Sequence, residues 1–200
     1  QWDAIMNTTK YKVPVSTMEA LSAYKGSSSK INGALSAMKN NPSYDPDSYT
    51  KQQIEAITQY IDTQSISEDI KVYRGEGYEV LDSVELNGKK LSTLMHDAAY
   101  FSDQQEIDNL ILMIEQGNYV AHQERFMSTS LLKDSAFSDS IVWELDVPAG
   151  SKGVFLEGCN ISGSLSNECE YLLQRDCRIL IKHADFKDGK WHLKGSIVNE

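Results

Sequence analysis

Two hundred residues, 40% hydrophobic and 24% charged, form a chain long enough to bury a real core and unlike a disordered segment. The formal net charge of -10 excludes a general nucleic-acid binder, because a phosphate backbone would be repelled. No apolar run approaches the length needed to cross a bilayer, so no membrane segment is expected.

The chain opens Gln1-Trp2-Asp3-Ala4, neither an initiator methionine nor a secretion signal, and so reads as a mature or excised piece of something longer. Ser16 followed by Glu19 has the spacing of a capping box and predicts a short helix through Met18, Leu21 and Tyr24. Ser29 is placed to cap a second helix with Ile31, Leu35 and Met38 on one face. After a loop rich in Asn, Pro and Ser, the residues Ile54, Ile57 and Ile61 mark a third. Strand texture begins at Ile70 to Arg74, and Asn87-Gly88 predicts a hairpin between Val84–Leu86 and Lys89–Leu91. A helix near 104–116 follows, with Ile107, Leu110, Ile111 and Ile114 on one stripe and Gly117 as its stop. The rest reads as strands: Phe126 to Ser130, Ile141 to Val147, Gly153 to Leu156, Glu168 to Leu173 and Arg178 to Lys182. Asp188-Gly189 then turns into a last strand from Trp191 to Val198. The order is a mainly helical stretch over 1–66 and a mostly antiparallel β core over 67–200 with one helix, an α+β arrangement in a single domain. Cys159, Cys169 and Cys177 are odd in number and have no Cys-x-x-Cys pair, so neither a disulfide framework nor a metal site is expected.

Three constellations carry chemistry, and each is ordinary alone. In Val72-Tyr73-Arg74-Gly75 an arginine ends an apolar strand, where its planar guanidinium suits bidentate phosphate binding. The plainer reading is an edge-strand arginine paired with a carboxylate. In Phe126-Met127-Ser128-Thr129-Ser130-Leu131, alternation puts Ser128 and Ser130 on one face and Thr129 on the other. Three hydroxyls in an apolar strand suit a polar cleft, or else a solvated edge strand. In Glu168-Cys169-Glu170, an extended backbone places both carboxylates on one side, roughly 7 Å apart along the strand. So placed they repel each other and invite a cation or a shared task; a surface cap is the plainer alternative.

The ordered series of Arg, Ser-Thr-Ser and Glu-x-Glu, each at a strand, resembles the arginine–serine–glutamate class of ADP-ribosylating toxins. Around it the chain is similar to the catalytic domain of actin-modifying binary toxins and to the small Rho-modifying exoenzymes. Tyr24-Lys25-Gly26-Ser27 with Ile31-Asn32 looks like the family's helical NAD-facing segment. Ser135-Ala136-Phe137 resembles its following loop, and Pro148-Ala149-Gly150-Ser151-Lys152-Gly153 its Pro-x-Gly-x-x-Gly segment.

The resemblance implies N-terminal helices packed on a two-sheet β core of the ADP-ribosyltransferase type, with NAD as co-substrate and no metal. It implies that Arg74 holds the phosphates and that Ser128 hydrogen-bonds Glu170. Glu170 is then the group that binds the ribose 2′-hydroxyl and stabilises the oxocarbenium centre, and Phe137 covers the nicotinamide. Tyr24, Asn32 and the backbone at Gly75 are implied contacts for the adenosine or phosphate side. Glu168 at the first acidic position goes with arginine as acceptor, whereas Gln there goes with asparagine. Leu165, Ser166 and Asn167 occupy the substrate-recognition loop, which lacks the aromatic residue of many relatives. Gly75 stands where some relatives carry a second arginine. The implied partners are a host protein bearing the target arginine, with actin the commonest target among close-looking relatives, and a translocation component or larger parent chain. The implied setting is secretion or delivery into host cells. Two other readings compete: an NAD glycohydrolase without a protein acceptor, and a non-catalytic nucleotide-binding module.

Overall fold

The fold comes from a computed structural model that describes residues 13–135, 139–156 and 169–199. The N-terminal part is three helices, α1 (Val15–Gly26), α2 (Ser28–Asn40) and α3 (Ser48–Asp62). Their apolar positions recur at helical spacing and close on one core: Leu21, Tyr24, Ile31, Leu35, Ile57 and Ile61 are all buried. Two expected caps are displaced. Pro14 occupies the N-cap of α1 and Ser16 is already helical, with no side-chain capping bond at that end. The proline ring presets the backbone for helix entry and lacks an N–H that the first turn would leave unsatisfied. At α2 the N-cap is Ser27, and Ser29 instead shares a 3.2 Å hydroxyl contact with it. Helix α3 is capped by side chain: Asp47 accepts from the Thr50 amide at 2.9 Å and from its hydroxyl at 2.8 Å.

The β region comprises β1 (Ile70–Glu76), β2 (Glu85–Leu86), β3 (Lys89–Lys90), β4 (Val120–Gln123), β5 (Met127–Ser130) and β6 (Ile141–Val147). It continues with β7 (Gly153–Phe155), β8 (Glu170–Leu173), β9 (Cys177–Lys187) and β10 (Lys190–Val198). The β2–β3 hairpin turns through Asn87 and Gly88, both at positive φ, as the Asn-Gly signal predicts. Two helices interrupt the strands where one was expected: α4 (Leu91–Tyr100) and α5 (Gln104–Gly117). The first begins at the residue taken as the end of the hairpin, and its buried Leu91, Met95 and Ala98 form a single stripe too short to stand out. Helix α5 is capped by Asp103, and the left-handed residue ending it is Asn118, one position beyond Gly117. Strand β4 was not anticipated from the sequence either.

The eight longer strands run in the order β4-β9-β10-β6-β1-β5-β8-β7, antiparallel except for β10 beside β6. Among the described residues β1 meets β5 at one pair, Tyr73 opposite Ser130. The sheet therefore divides into two parts, β4-β9-β10-β6-β1 and β5-β8-β7, joined at that contact. Trp143, Leu145, Ile179 and Leu193 of the first part pack with Met127, Tyr171 and Leu173 of the second, and with α4 and α5. The opposite face of the second part offers Phe126, Val154, Leu156 and Leu172 to the three N-terminal helices. At β7 the chain approaches closely: a Cβ at Gly153 would lie 2.5 Å from the Tyr171 ring.

Strand β8 begins at Glu170, not at Glu168. Cys169 has φ 45°, a left-handed conformation that interrupts extended backbone, so alternation cannot be carried across it to relate the two glutamates. Glu168 lies outside the described residues.

Candidate active site

The site forms where β1, β5 and β8 meet the end of α1. In β5 the face shared by Ser128 and Phe126 looks toward the helices, and Thr129 turns the other way and donates to the Tyr171 carbonyl at 2.6 Å. In β8 the same alternation puts Glu170 on the face of Leu172, toward the helices. The register sets Ser130 opposite Glu170 and Ser128 opposite Leu172, so Ser128 reaches Glu170 on the diagonal. Its Oγ donates to Glu170 Oε1 at 2.5 Å. The other carboxylate oxygen, Oε2, lies 3.0 Å from Lys25 Nζ. Glu170 is only 8% exposed, and burial at that level raises the worth of each of these bonds.

Arg74, near the end of β1, is held from two sides. Its Nη1 donates to the Ser128 carbonyl at 2.5 Å, and its Nε donates to Glu76 Oε2 at 2.9 Å. Burial works against the guanidinium charge, and the Glu76 carboxylate outweighs it, so the arginine pKa stands above its ordinary value. The chain of polar contacts continues: Gln123 Nε2 donates to Glu76 Oε2 at 3.3 Å, and Arg125 Nε donates to Gln123 Oε1 at 3.3 Å. Glu76 is 5% exposed, and its second oxygen, Oε1, has no hydrogen-bond partner among the described residues. Beside it, burial first and the Glu76 charge second push the Cys177 thiol up to about 12.

Tyr24 and Asn32 form the helical wall. Tyr24 donates to the Phe126 carbonyl at 3.3 Å and packs edge-on against the Phe126 ring, 6.0 Å between centroids. Asn32 Nδ2 donates to the Tyr24 hydroxyl at 3.1 Å and to the same carbonyl at 3.3 Å. Its Oδ1 is buried without a hydrogen-bond partner among the described residues, an acceptor left over on this wall. Burial pushes the Tyr24 phenol up to about 12, opposed in part by the nearby Arg74 charge and the Asn32 hydrogen bond.

Of the residues singled out from sequence, the fold thus gathers Tyr24, Asn32, Arg74, Ser128 and Glu170. Gly75 follows Arg74 in β1 and pairs with Val142 of β6. Glu168, Phe137, Leu165, Ser166 and Asn167 lie outside the described residues. Four participants were missed: Lys25, Glu76, Gln123 and Arg125. Glu76 was readable, since two residues on in a strand it shares the face of Arg74. Lys25 lies within the segment Tyr24–Ser27 with no local signal of its role, since its contact spans 145 residues of sequence. No group of three or more His, Cys, Asp or Glu side chains converges as a metal site among the described residues.

Residues 1–198 match the family described as ADP-ribosyltransferase exoenzyme. The chain belongs to that family. Membership carries the reaction class, transfer of ADP-ribose from NAD, and the setting of a bacterial toxin. No curated protein matches the chain in sequence. In fold it is similar to C3stau2 from S. aureus, in a structure with NAD, at 16% identity and a TM-score of 0.76, over 99% of this chain and 92% of that one. It is likewise similar to the C3 exoenzyme of Clostridium limosum, at 23% identity and a TM-score of 0.73, with the same coverage of both. BECa, the ADP-ribosylating component of a C. perfringens binary enterotoxin, aligns at 16% identity and a TM-score of 0.71, over 99% of this chain and 47% of its own. These likenesses bear out the α+β exoenzyme fold expected from the ordered motifs.

Proposed function

We propose that the chain is a mono-ADP-ribosyltransferase that moves ADP-ribose from NAD onto an arginine of a host protein, as a single catalytic domain secreted or delivered into the host cell. The observation that carries this reading is the ordered Ser128–Glu170 carboxylate beside the Arg74 guanidinium, in a cleft walled by Tyr24 and Asn32. Arg74 offers fixed positive charge to the pyrophosphate, and Asn32 Oδ1 offers an acceptor to an adenosine-side donor. Glu170 binds the ribose 2′-hydroxyl and supplies preorganised negative charge as the C1′–nicotinamide bond breaks and its electron pair leaves with nicotinamide. Ser128 holds that carboxylate in its rotamer. The family resemblance assigns Phe137 to cover the nicotinamide, and the Gly75 backbone to the phosphate side.

Glu168 decides the acceptor. A carboxylate there grips a guanidinium through two charge-assisted bonds and takes the proton released as the guanidinium nitrogen attacks C1′. The similar structures include C3-type enzymes and a binary-toxin component, so the fold leaves the acceptor open and residue 168 carries the choice. The loop of Leu165, Ser166 and Asn167 is where the protein substrate would be read, with actin one candidate.

The test incubates the chain with labelled NAD and host-cell lysate, comparing wild type with Glu168→Gln and Glu170→Gln. Both substitutions are expected to abolish protein labelling, while nicotinamide release survives Glu168→Gln better than Glu170→Gln. Hydroxylamine-labile label supports arginine. Nicotinamide release without any labelled protein would leave a glycohydrolase, and neither label nor release from wild type would end the enzyme reading.

A further inference from the structure

Glu170 sits beneath an ammonium, and that placement is at odds with the charge its reaction needs. Lys25 Nζ is 3.0 Å from Glu170 Oε2, and the two side chains are only 9% and 10% exposed. Lys25 lies in the last turn of α1, where the helix dipole favours a cation. The nicotinamide-bearing ribose develops positive charge beside this same carboxylate, and in a poorly screened cleft a neighbouring ammonium repels that centre. The ammonium therefore has to leave Oε2 before chemistry. Its four-carbon stem allows this, and the anionic group that arrives with the substrate is the pyrophosphate. Arg74, the guanidinium expected to meet that pyrophosphate, lies in the same cleft and is bonded to the backbone of Ser128, whose hydroxyl holds Glu170.

We propose that Lys25 is a transferable phosphate-binding residue: its ammonium guards Glu170 in the empty site and passes to the pyrophosphate when NAD enters. The inference rests on the NAD-binding reading above. In the empty site Lys25 keeps the buried carboxylate paired, because an uncompensated charge at this depth is costly. In the loaded site it joins Arg74 on the phosphates and frees Glu170 Oε2 for the ribose hydroxyl. Lys25 thus serves two anions in turn, Glu170 before NAD enters and the pyrophosphate after.

The test measures binding of ADP, which carries the pyrophosphate but not the second ribose and so does not touch Glu170 through a hydroxyl. Glu170→Gln releases Lys25 from its carboxylate and is expected to bind ADP roughly tenfold more tightly than wild type, the worth of about one charge-assisted hydrogen bond. Lys25→Gln and the double variant should bind ADP with equal, weaker affinity, and Lys25→Arg should behave like wild type. Melting temperatures read alongside establish that each variant is folded. Equal ADP affinity in wild type and Glu170→Gln would overturn the handover, as would full retention of the gain in the double variant, since either makes Lys25 a tie between α1 and β8 alone. Nicotinamide release from wild-type NAD incubations keeps the two ideas separate. Turnover without the ADP effect ends only the handover; its absence ends the transferase reading.

Discussion

Ser128 Oγ and Glu170 Oε1 are 2.5 Å apart across β5 and β8, although neither residue stands opposite the other in the ladder. The diagonal contact depends on the two side chains leaning toward each other along the sheet. It fixes a carboxylate whose value lies in being oriented before substrate arrives. Ser128→Ala removes the donor and leaves the strand intact. The expected result is a fall in kcat for nicotinamide release of about a hundredfold, in the range for loss of one preorganised hydrogen bond, with the NAD KM little changed. Equal kinetics in Ser128→Ala and wild type would mean that the Ser128 hydroxyl does not orient Glu170 for chemistry.

Glu76 should tune NAD binding through Arg74. Its Oε2 accepts from Arg74 Nε, and Gln123 supports the same oxygen. Glu76→Gln keeps the shape and loses the charge that stabilises the buried guanidinium. Steady-state kinetics are expected to show the NAD KM raised roughly tenfold with kcat held, as for a weakened charge-assisted contact. Glu76→Ala removes the partner outright, and its melting temperature should fall, because the guanidinium is left uncompensated.

Phe126 joins the core to the site. Its ring is fully buried among the helices while its carbonyl accepts from both Tyr24 and Asn32. Phe126→Ala should cost about 3–5 kcal/mol in urea-induced unfolding, the usual range for an emptied aromatic site. A loss below about 1 kcal/mol would indicate that α1 collapses into the space.

Alkaline pH should destabilise the fold through Cys177 and Tyr24. Each has a folded pKa near 12, above ordinary values of 9.0 and 10.0, and burial is the main cause. Between the ordinary value and 12 the unfolded chain has lost the proton and the folded chain still holds it, so stability falls as pH rises. The Cys177 contribution is absent below pH 9 and that of Tyr24 below pH 10. Denaturation midpoints measured from pH 8 to 12 should fall less steeply in Cys177→Ala than in wild type.

Much of this fold is legible in the amino-acid sequence. Ile141 to Val147 is a strand over its full expected length, and the Asn87-Gly88 and Asp188-Gly189 turns fall where their dipeptides place them. Such signals are local: alternation of side chains and tolerance of positive φ are properties of a few adjacent residues. Helix α4 escaped because ten residues with one short apolar stripe resemble a hairpin arm followed by a loop. The expected strand from Glu168 failed at Cys169, whose left-handed backbone nothing in Glu-Cys-Glu announces.

The order of Arg74, Ser128 and Glu170 along the chain is enough to point to the family, and with it the chemistry to look for. Which polar groups share the cleft follows from the fold alone. Lys25 meets Glu170 across 145 residues, and Gln123 meets Glu76 across 47. The ion pair and the hydrogen bond follow from how α1 lies on the sheet and how the end of β4 is brought to the end of β1. Coulomb interactions act through space and leave no periodicity in the chain, so the acidic residue at 170 could be read as catalytic from sequence, but its guardian at 25 could not.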